Sequence, residues 1–265
     1  MLKLKNIEKI FHENTPSENI ALSGANLTIH EGDFITIVGS NGAGKSTLLN
    51  SIAGVFKINE GKILLNDKDI SGQAEYERAK YIGRVFQNPL SGTSPEMTIE
   101  ENLSLAFSKS KNLSLKWGLN NYKRNIFKNK LKKISLGLED RLDIKVKLLS
   151  GGQRQALTLS MATMTKPQLL LLDEHTAALD PATAIKINNL TRELVKENNI
   201  TTLMITHNME DAINIGNRLI MMDEGNIILD ISGKEKNELS IDQLLQMFHE
   251  RQGKKYSNDR TLLSM

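Results

Sequence analysis

The sequence predicts an α/β fold that is built on a mainly parallel sheet. Three short apolar runs have the composition of strands that are buried on both faces, namely Phe34–Val38, Leu169–Leu172 and Thr202–Ile205. A long segment with helical spacing, Ala182–Lys196, separates the last two runs. Strands and helices that alternate in this way form crossover connections, and the strands then pair in parallel.

Further strands are predicted before and after the first buried run. The N-terminal segment Leu2–Ile7 has spaced apolar residues, and Leu27–His30 alternates ahead of a Glu-Gly-Asp turn. The segments Gly61–Leu65 and Tyr81–Phe86 are bounded by polar turns and are also strand candidates. Near the other end, the polar stretch Lys234–Met265 contains one predicted helix, Ser240–Glu250.

Composition excludes several classes of protein. The chain has 265 residues, 39% of them hydrophobic and 25% charged, so it is neither collagen-like, nor a coiled coil, nor disordered. A net charge of +3 is too small for the whole surface to attract nucleic acid. With no Cys, the chain has no disulfide, thiolate metal site or cysteine nucleophile, which fits a reducing compartment. No apolar stretch approaches the roughly 18 residues of a membrane span and no signal peptide is evident, so we expect a soluble, cytosolic protein.

The middle of the chain is locally basic. No acidic residue occurs in Asn102–Leu138, and apolar residues alternate with the basic ones. The pattern predicts an amphipathic helical region, whose charged face is either simply solvated or a docking surface. The nine basic residues are Lys109, Lys111, Lys116, Lys123, Arg124, Lys128, Lys130, Lys132 and Lys133, and the interleaved residues are Trp117, Tyr122, Ile126, Phe127 and Leu131.

A glycine-rich loop follows the first buried strand and fits the phosphate-binding pattern G-x-x-x-x-G-K-[ST]. Its glycines let backbone N–H groups converge on phosphate oxygens, and the N-terminus of the predicted helix Ser46–Ala53, which ends at Gly54, adds partial positive charge. Lys45 would reach the β- and γ-phosphates, and the Ser46 hydroxyl would bind Mg²⁺. The loop consists of Gly39, Ser40, Asn41, Gly42, Ala43, Gly44, Lys45, Ser46 and Thr47.

Polar residues follow the other predicted strands. Asp173 and Glu174 come directly after the four leucines, where a parallel sheet would deliver them to its carboxyl edge. We assign Asp173 as a Mg²⁺ ligand and Glu174 as the general base that polarises the attacking water. His207 follows Thr202–Ile205 at the same edge, although a single histidine is more often packed or solvated than catalytic. Gln87 ends another strand and could contact Mg²⁺ or water through its amide.

A second glycine-rich turn, Leu149–Gln155, opens a second helix far along the chain. Ser150 offers a hydroxyl, and Gly151 and Gly152 offer unobstructed N–H groups, so this helix N-terminus also suits an anion. One nucleotide does not need two such cradles on one chain. The pair is explained if the second cradle serves the nucleotide of a partner subunit.

With these motifs in this order, the sequence resembles the nucleotide-binding subunits of ATP-binding cassette (ABC) transporters over nearly its whole length. The resemblance implies a P-loop NTPase core with a mainly parallel sheet, an N-terminal antiparallel β subdomain and an inserted helical subdomain at about residues 88–165. The ATPase domain would cover residues 1–235, and a short C-terminal helix and tail would cover residues 236–265.

The resemblance also implies roles for single residues. His207 would contact the γ-phosphate and hold the water with Glu174, and Phe11 would stack on adenine, because stacking needs no hydroxyl. Ser150 and Gly152 would close on ATP that is bound to the opposite subunit of a head-to-tail homodimer. The family motifs correspond to Gln87 (Q-loop), Leu149–Gln153 with Ser150, Gly151, Gly152 and Gln153 (signature), Leu169–Asp173 (Walker B), Ala178–Asp180 with Asp180 (D-loop) and His207 (switch histidine).

Two features depart from the family pattern. The family commonly has a small residue or Pro after the catalytic glutamate and Ser before the D-loop alanine, whereas this chain has His175 and Ala177. Neither change removes a catalytic group, so we expect both dimer sites to be competent and His175 to be a solvated turn residue. The stretch from Gln87 to Ser150 is also longer than usual and contains the basic region, which would face transmembrane subunits or anionic lipid.

The leading hypothesis is an ATPase subunit, with ATP and Mg²⁺, that drives solute import through separate transmembrane permease subunits. An extracytoplasmic solute-binding protein would belong to the same system, the solute would be an amino acid, and the chain would lie on the cytoplasmic face of the cell membrane. The alternatives are an ABC exporter ATPase and a soluble ABC ATPase that acts on ribosomes or DNA. The soluble alternative is disfavoured because the chain has neither tandem cassettes nor a coiled-coil insertion, so no nucleic-acid partner is expected. A non-hydrolysing regulator is disfavoured because Glu174 and His207 are both present.

Overall fold

The structure is a computed structural model that describes residues 1–108, 120–248 and 250. Its strands form two separate sheets. The strands are β1 (Leu2–Phe11), β2 (Asn19–Ile29), β3 (Phe34–Gly39), β4 (Glu60–Leu65), β5 (Lys68–Asp69), β6 (Ile82–Val85), β7 (Leu169–Asp173), β8 (Thr201–Ile205), β9 (Arg218–Asp223) and β10 (Asn226–Ser232).

The two sheets differ in strand direction. The first has the order β2-β1-β4-β5 and is antiparallel. The second has the order β10-β9-β3-β8-β7-β6, and all its pairs are parallel except β10 with β9. The predicted α/β fold, with a mainly parallel sheet and an N-terminal antiparallel sheet, is confirmed.

The helices follow the strands as crossover connections. The one after the glycine-rich loop ends at Gly54, whose φ of 85° and N–H bond to the Ser51 carbonyl form the predicted C-cap. Residues 241–248 are also helical, within the predicted Ser240–Glu250. The helices are α1 (Lys45–Ala53), α2 (Glu75–Arg78), α3 (Ile99–Ser108), α4 (Asn121–Lys132), α5 (Gly151–Thr163), α6 (Pro181–Asn198), α7 (Met209–Asn214) and α8 (Gly233–Asn237), with 3₁₀ turns at Pro89–Gly92 and Val146–Leu148.

The apolar core lies on both faces of the six-stranded sheet. On one face, α1 packs with the antiparallel sheet through residues such as Leu48 and Ile52. On the other face, α3 to α6 pack through residues such as Leu157 and Ile187. Burial on both faces explains why β3, β7 and β8 are continuous apolar runs. Parallel pairing of these strands brings their carboxyl ends to one edge of the sheet.

Part of the predicted basic region is a helix. In α4 the apolar residues Phe127 and Leu131 are fully buried, as amphipathic spacing requires. Some of its charge is neutralised by distant acids, because Arg124 pairs with Glu100 and Asp143, and the end of the helix pairs with α6 through Lys133 and Glu197. Of the predicted residues, Lys109, Lys111, Lys116 and Trp117 lie outside the described residues. The subdomain boundaries stay predictions.

The sequence analysis did not predict several elements, among them β9, β10 and α8. Strand β9 is buried and pairs in parallel with β3, and β10 returns beside it in an antiparallel hairpin. The turn between them uses Glu224 and Gly225, both with positive φ. The short helix α8 then packs against β9, β10 and α7. The parallel sheet is therefore extended at one edge by an antiparallel strand.

Candidate functional site

The loop Gly39–Thr47 joins β3 to α1, as predicted. Two of its glycines are required by close contact with other parts of the backbone. A Cβ on Gly39 would lie 2.1 Å from the Met222 carbonyl oxygen, and one on Gly44 would lie 2.5 Å from that of Ala21. The loop therefore packs closely against β9 and β2, and a side chain at either glycine would disrupt this packing.

Lys45 lies almost fully buried at the start of α1. Its Nζ donates to the carbonyl oxygens of Gly39 (2.9 Å) and Ser40 (2.8 Å), so the ammonium lies across its own loop. Burial lowers the pKa of Lys45, and the carboxylates of Glu174 and Asp173 oppose that shift. Two acids from the end of β7 and this lysine from the loop therefore share one electrostatic environment.

Ser46 and Asp173 meet directly. The Ser46 hydroxyl donates to Oδ1 of Asp173 over 3.1 Å, which joins the start of α1 to the end of β7. Burial raises the pKa of Asp173, while the hydrogen bond from Ser46 lowers it. A hydroxyl and a carboxylate at this spacing are hard oxygen donors of the kind that Mg²⁺ binds when phosphates and water complete its shell.

Glu174 and His207 form the second meeting point at this edge. Nε2 of His207 lies 2.5 Å from Oε1 of Glu174. The register of β7 and β8 pairs Asp173 with Ile205, so each side chain follows the end of its own strand. The Glu174 side chain is 13% exposed and that of His207 is 46% exposed, so the acid is the more shielded member of the pair.

The remaining residues predicted to contact nucleotide lie on separate elements. Gln87 is exposed just after β6, the strand next to β7. Phe11 ends β1 and packs edge-on against Phe56, with ring centroids 5.1 Å apart. Nζ of Lys9 lies 4.9 Å from the centroid of the Phe11 ring. The loop residues Asn41, Gly42, Ala43 and Thr47 complete the turn into α1, with Ala43 buried.

The second glycine-rich turn is built as a helix N-terminus. The Ser150 side chain accepts from the N–H of Gln153, and the Gln153 side chain accepts from the N–H of Ser150, which forms a capping box at the start of α5. Gly152 lies against α6, because a Cβ there would be 2.3 Å from the Thr183 Cγ2. A Cβ on Gly151 would have room, since the nearest atom, Cδ2 of Leu179, would lie 3.5 Å away.

Asp180 lies at the start of α6, close to this turn. Its carboxylate accepts from the Thr183 N–H over 3.0 Å and caps the helix, and hydrogen bonding from the Thr183 side chain and N–H lowers the pKa of Asp180. The signature turn and the D-loop residue therefore share one surface, formed by the N-termini of α5 and α6. The structure places this surface on helices other than α1, which carries the phosphate loop.

The prediction that His175 is a solvated turn residue is wrong. The side chain is 1% exposed, and its Nε2 lies 3.0 Å from the Thr191 Oγ1 in α6. Burial lowers its pKa to about 4, so the ring is neutral near pH 7. The residue was misjudged because sequence alone did not show that the turn after β7 is covered by α6.

Sequence reasoning also missed Arg78, which holds the far end of α1. Its guanidinium is 1% exposed and donates to the carbonyl oxygens of Ser51 (2.9 Å) and Ile52 (2.8 Å) in the last turn of that helix, and to those of Ser71 and Gln73. A cation at a helix C-terminus complements the helix dipole. No sequence signal marked it, since arginine is usually exposed.

The described residues contain neither a cluster of metal ligands nor a helix that could span a membrane. Within residues 1–108 and 120–248, no group of three or more His, Asp or Glu side chains could hold a metal ion. A Mg²⁺ site at Ser46 and Asp173 therefore depends on oxygens from phosphate and water. No helix among the described residues is both long and apolar enough to cross a membrane.

Comparison with known proteins gives consistent matches. Residues 22–177 match the family model described as ABC transporter. The chain is 48% identical over 248 residues to the tyrosine transport ATP-binding protein of Clostridioides difficile (strain R20291), which covers 94% of this chain and 98% of the relative. It is 34% identical over 231 residues to an energy-coupling factor transporter ATP-binding protein of Clostridium tetani (strain Massachusetts / E88), covering 86% and 78%. A solved dimeric ATP-binding cassette in a post-hydrolysis state, bound to ADP and Pi, matches with a TM-score of 0.76 at 30% identity and covers 88% of this chain and 98% of that chain.

Proposed function

The chain belongs to the ABC transporter family, and from this premise we propose that it powers the import of an amino acid through separate membrane subunits. It is the ATP-hydrolysing subunit of a transporter. The observation that carries the mechanism is the meeting of the phosphate loop, Asp173, Glu174 and His207 at one edge of the sheet. This edge is where open α/β sheets bind their ligands.

ATP would lie with its phosphates on the loop N–H groups and the N-terminus of α1. Lys45 would hold the β- and γ-phosphates once its ammonium turns from the loop carbonyls to the phosphate oxygens. Ser46 and Asp173 would hold Mg²⁺, which supplies positive charge beside the transferred phosphate. The Phe11 ring would stack on adenine. Gln87, which follows β6 beside β7, would approach the phosphates.

Glu174 would act as the general base. Its partly shielded carboxylate would accept a proton from the water that attacks the γ-phosphate, as the P–O bond to ADP breaks. His207 would leave its bond to Glu174 and donate to the γ-phosphate. During hydrolysis, the bond between His207 and Glu174 would therefore be replaced by a bond between Glu174 and the water and a bond from His207 to the γ-phosphate.

A second copy of the chain would complete each site. The surface formed by the N-termini of α5 and α6 carries Ser150, Gly151, Gly152, Gln153 and Asp180. In a head-to-tail dimer these groups would close on the nucleotide of the partner, so that ATP binds both chains and hydrolysis releases them. The dimeric cassette that matches this fold supports this arrangement.

The membrane subunits would dock in a cleft between the sheet and the helical segment. The cleft has a volume of about 400 Å³, and Leu105 in its lining is 55% exposed, so an apolar side chain is open to a partner there. Its lining includes Ala53, Glu75, Arg84, Leu105, Thr158 and Met161. Docking there would hold the chain at the cytoplasmic, inner face of the membrane.

The solute proposal is an aromatic amino acid, supported by the tyrosine transport relative that is 48% identical. An extracytoplasmic solute-binding protein would deliver the solute to the membrane subunits. The test is uptake of labelled tyrosine by cells that express this chain with its membrane subunits, with labelled leucine and labelled glutamate as comparison solutes. Uptake of tyrosine that is no greater than that of the other two would refute the solute proposal.

The ATPase mechanism is tested by two substitutions in the purified chain. Glu174→Gln should bind ATP with parental affinity and lose hydrolysis by about 100-fold or more, because the general base is removed. Lys45→Ala should weaken ATP binding itself, because the buried ammonium is lost. A Glu174→Gln chain that hydrolyses ATP at the parental rate would refute the base assignment, and a Lys45→Ala chain of unchanged affinity would refute the role of the loop lysine.

A further inference from the structure

A polar network lies behind the catalytic edge, where the turn after β7 packs against α6. Its centre is His175, the residue after Glu174. The imidazole is almost fully buried and contacts the Thr191 hydroxyl in the middle of α6 at 3.0 Å. A buried ring with a partner on another element links the turn after β7 to that helix.

The direction of this hydrogen bond follows from the protons available. The Thr191 hydroxyl has one proton, and it donates that proton to the Ile187 carbonyl oxygen over 2.8 Å within α6. The contact with His175 must then use the Nε2 proton of the imidazole, with the Thr191 oxygen as acceptor. His175 is therefore the donor in the Nε2–H tautomer, and its Nδ1 has no partner among the described residues.

The same helix also holds the element that follows His207. Asn188, three residues before Thr191, donates from Nδ2 to Oδ2 of Asp211 over 2.8 Å. Asp211 lies in α7, the helix that begins two residues after His207 and is capped by Asn208. Thr191 and Asn188, on neighbouring turns of α6, are therefore hydrogen-bonded to His175, directly after Glu174, and to Asp211, four residues after His207.

Glu174 needs such an anchor because its backbone is in an unfavourable conformation. Its φ is 45°, in the left-handed region that favours glycine and that is less favourable for a residue with a Cβ. On one side, its N–H is held by the Ile205 carbonyl oxygen over 3.2 Å. On its C-terminal side, Glu174 is followed directly by His175, whose side chain is buried.

We propose that the His175–Thr191 hydrogen bond positions the Glu174 carboxylate for hydrolysis by anchoring the turn after β7 to α6. The proposal rests on the role of Glu174 as general base that is proposed above. His175 is a positioning residue, since it lies behind the strand end and its hydrogen bond goes to α6 rather than to the phosphate loop. Where the family commonly has a small residue or Pro, this chain uses a side-chain hydrogen bond.

The test removes the bond from its distant end. Thr191→Val keeps the size of the side chain and removes the acceptor, and Thr163→Val is the matched control. Thr163 is also a buried threonine within a helix, and among the described residues its hydroxyl bonds only to carbonyl oxygens of its own α5. In the purified full chain, the kcat for ATP should fall about tenfold in Thr191→Val, with the Kd for ATP within about twofold of the parent. The Thr163→Val chain should keep the parental kcat.

A second pair of variants keeps the test informative if Thr191→Val is poorly folded. His175→Gln places an amide donor near the position of Nε2 and should keep most of the kcat, whereas His175→Ala should lose it as Thr191→Val does. Equal kcat in Thr191→Val and Thr163→Val, or equal loss in His175→Gln and His175→Ala, would overturn the proposal. If Glu174→Gln is inactive while Thr191→Val is unaffected, the positioning role alone fails. If Glu174→Gln is fully active, the base assignment fails and the positioning role fails with it.

Discussion

Mild acid should destabilise this chain through the protonation of His175. The ring is 1% exposed, and burial lowers its pKa from 6.5 to about 4. Between these two values the unfolded chain binds a proton at this residue and the folded chain does not. The free energy of unfolding therefore keeps its full contribution from His175 above pH 6.5 and loses it as the pH falls towards 4.

The size of the effect follows from the shift. Each pKa unit corresponds to about 1.4 kcal/mol, so the complete loss is about 3 kcal/mol. Between about pH 7.5 and about pH 5, where the ring in the unfolded chain is largely protonated, the loss is about 2 kcal/mol. This loss is a large fraction of the stability of a typical domain.

The assay is urea unfolding, followed by circular dichroism without nucleotide or Mg²⁺, at both pH values in the parent and in His175→Gln. Burial raises the pKa of Asp173 and Asp211, which titrate in both chains, so their contributions cancel in the difference. The parent should lose about 2 kcal/mol more than His175→Gln. Equal losses in the two chains, or an NMR titration that gives the folded His175 ring a pKa near 6.5, would refute this reasoning.

Three further experiments test the packing of Gly152, the contacts of Arg78 and the basic face of α4. Gly152→Ala should lower the free energy of unfolding by about 1–3 kcal/mol, because the new Cβ would meet a methyl group of α6. Gly151→Ala, whose Cβ has room, should lower it by less than about 0.5 kcal/mol. Similar losses of stability in the two variants would contradict this account of the packing. Arg78→Met should cost about 3 kcal/mol in urea unfolding, because carbonyl groups at the end of α1 lose their donor, and a cost below about 1 kcal/mol would show that water replaces it. Replacing Lys128 and Lys132 by Glu should weaken association with membrane subunits or anionic vesicles in low salt and have little effect in high salt. Unchanged binding in low salt would show that this face of α4 is solvated and is not a docking surface.

The sequence predicted the fold well where one local pattern determined the structure. The run Phe34–Val38, the glycines after it and the helix that follows are read from neighbouring residues, and their order leaves one arrangement. The meeting of Asp173 with the phosphate loop was predictable for a related reason, since parallel strands end at one edge of a sheet. The strand Arg218–Asp223 was missed although it is apolar and pairs in parallel with β3, because the next element along the chain is an antiparallel hairpin strand rather than a helix.

What the sequence could not predict depends on contacts between distant residues. His175 follows Glu174 in the turn after β7, and its burial is decided by α6, whose Thr191 lies sixteen residues further on, rather than by its neighbours in sequence. The basic stretch shows the same limit for charge, since the acids that neutralise Arg124 and Lys133 lie outside the stretch, at Glu100 and Glu197 among others. A window of sequence gives the charges on one element, whereas a site is formed by the charges and hydrogen bonds of all elements that pack against it. For this reason the residues proposed as catalytic could be selected from strand ends, while the proposed anchoring role of His175 required the structure.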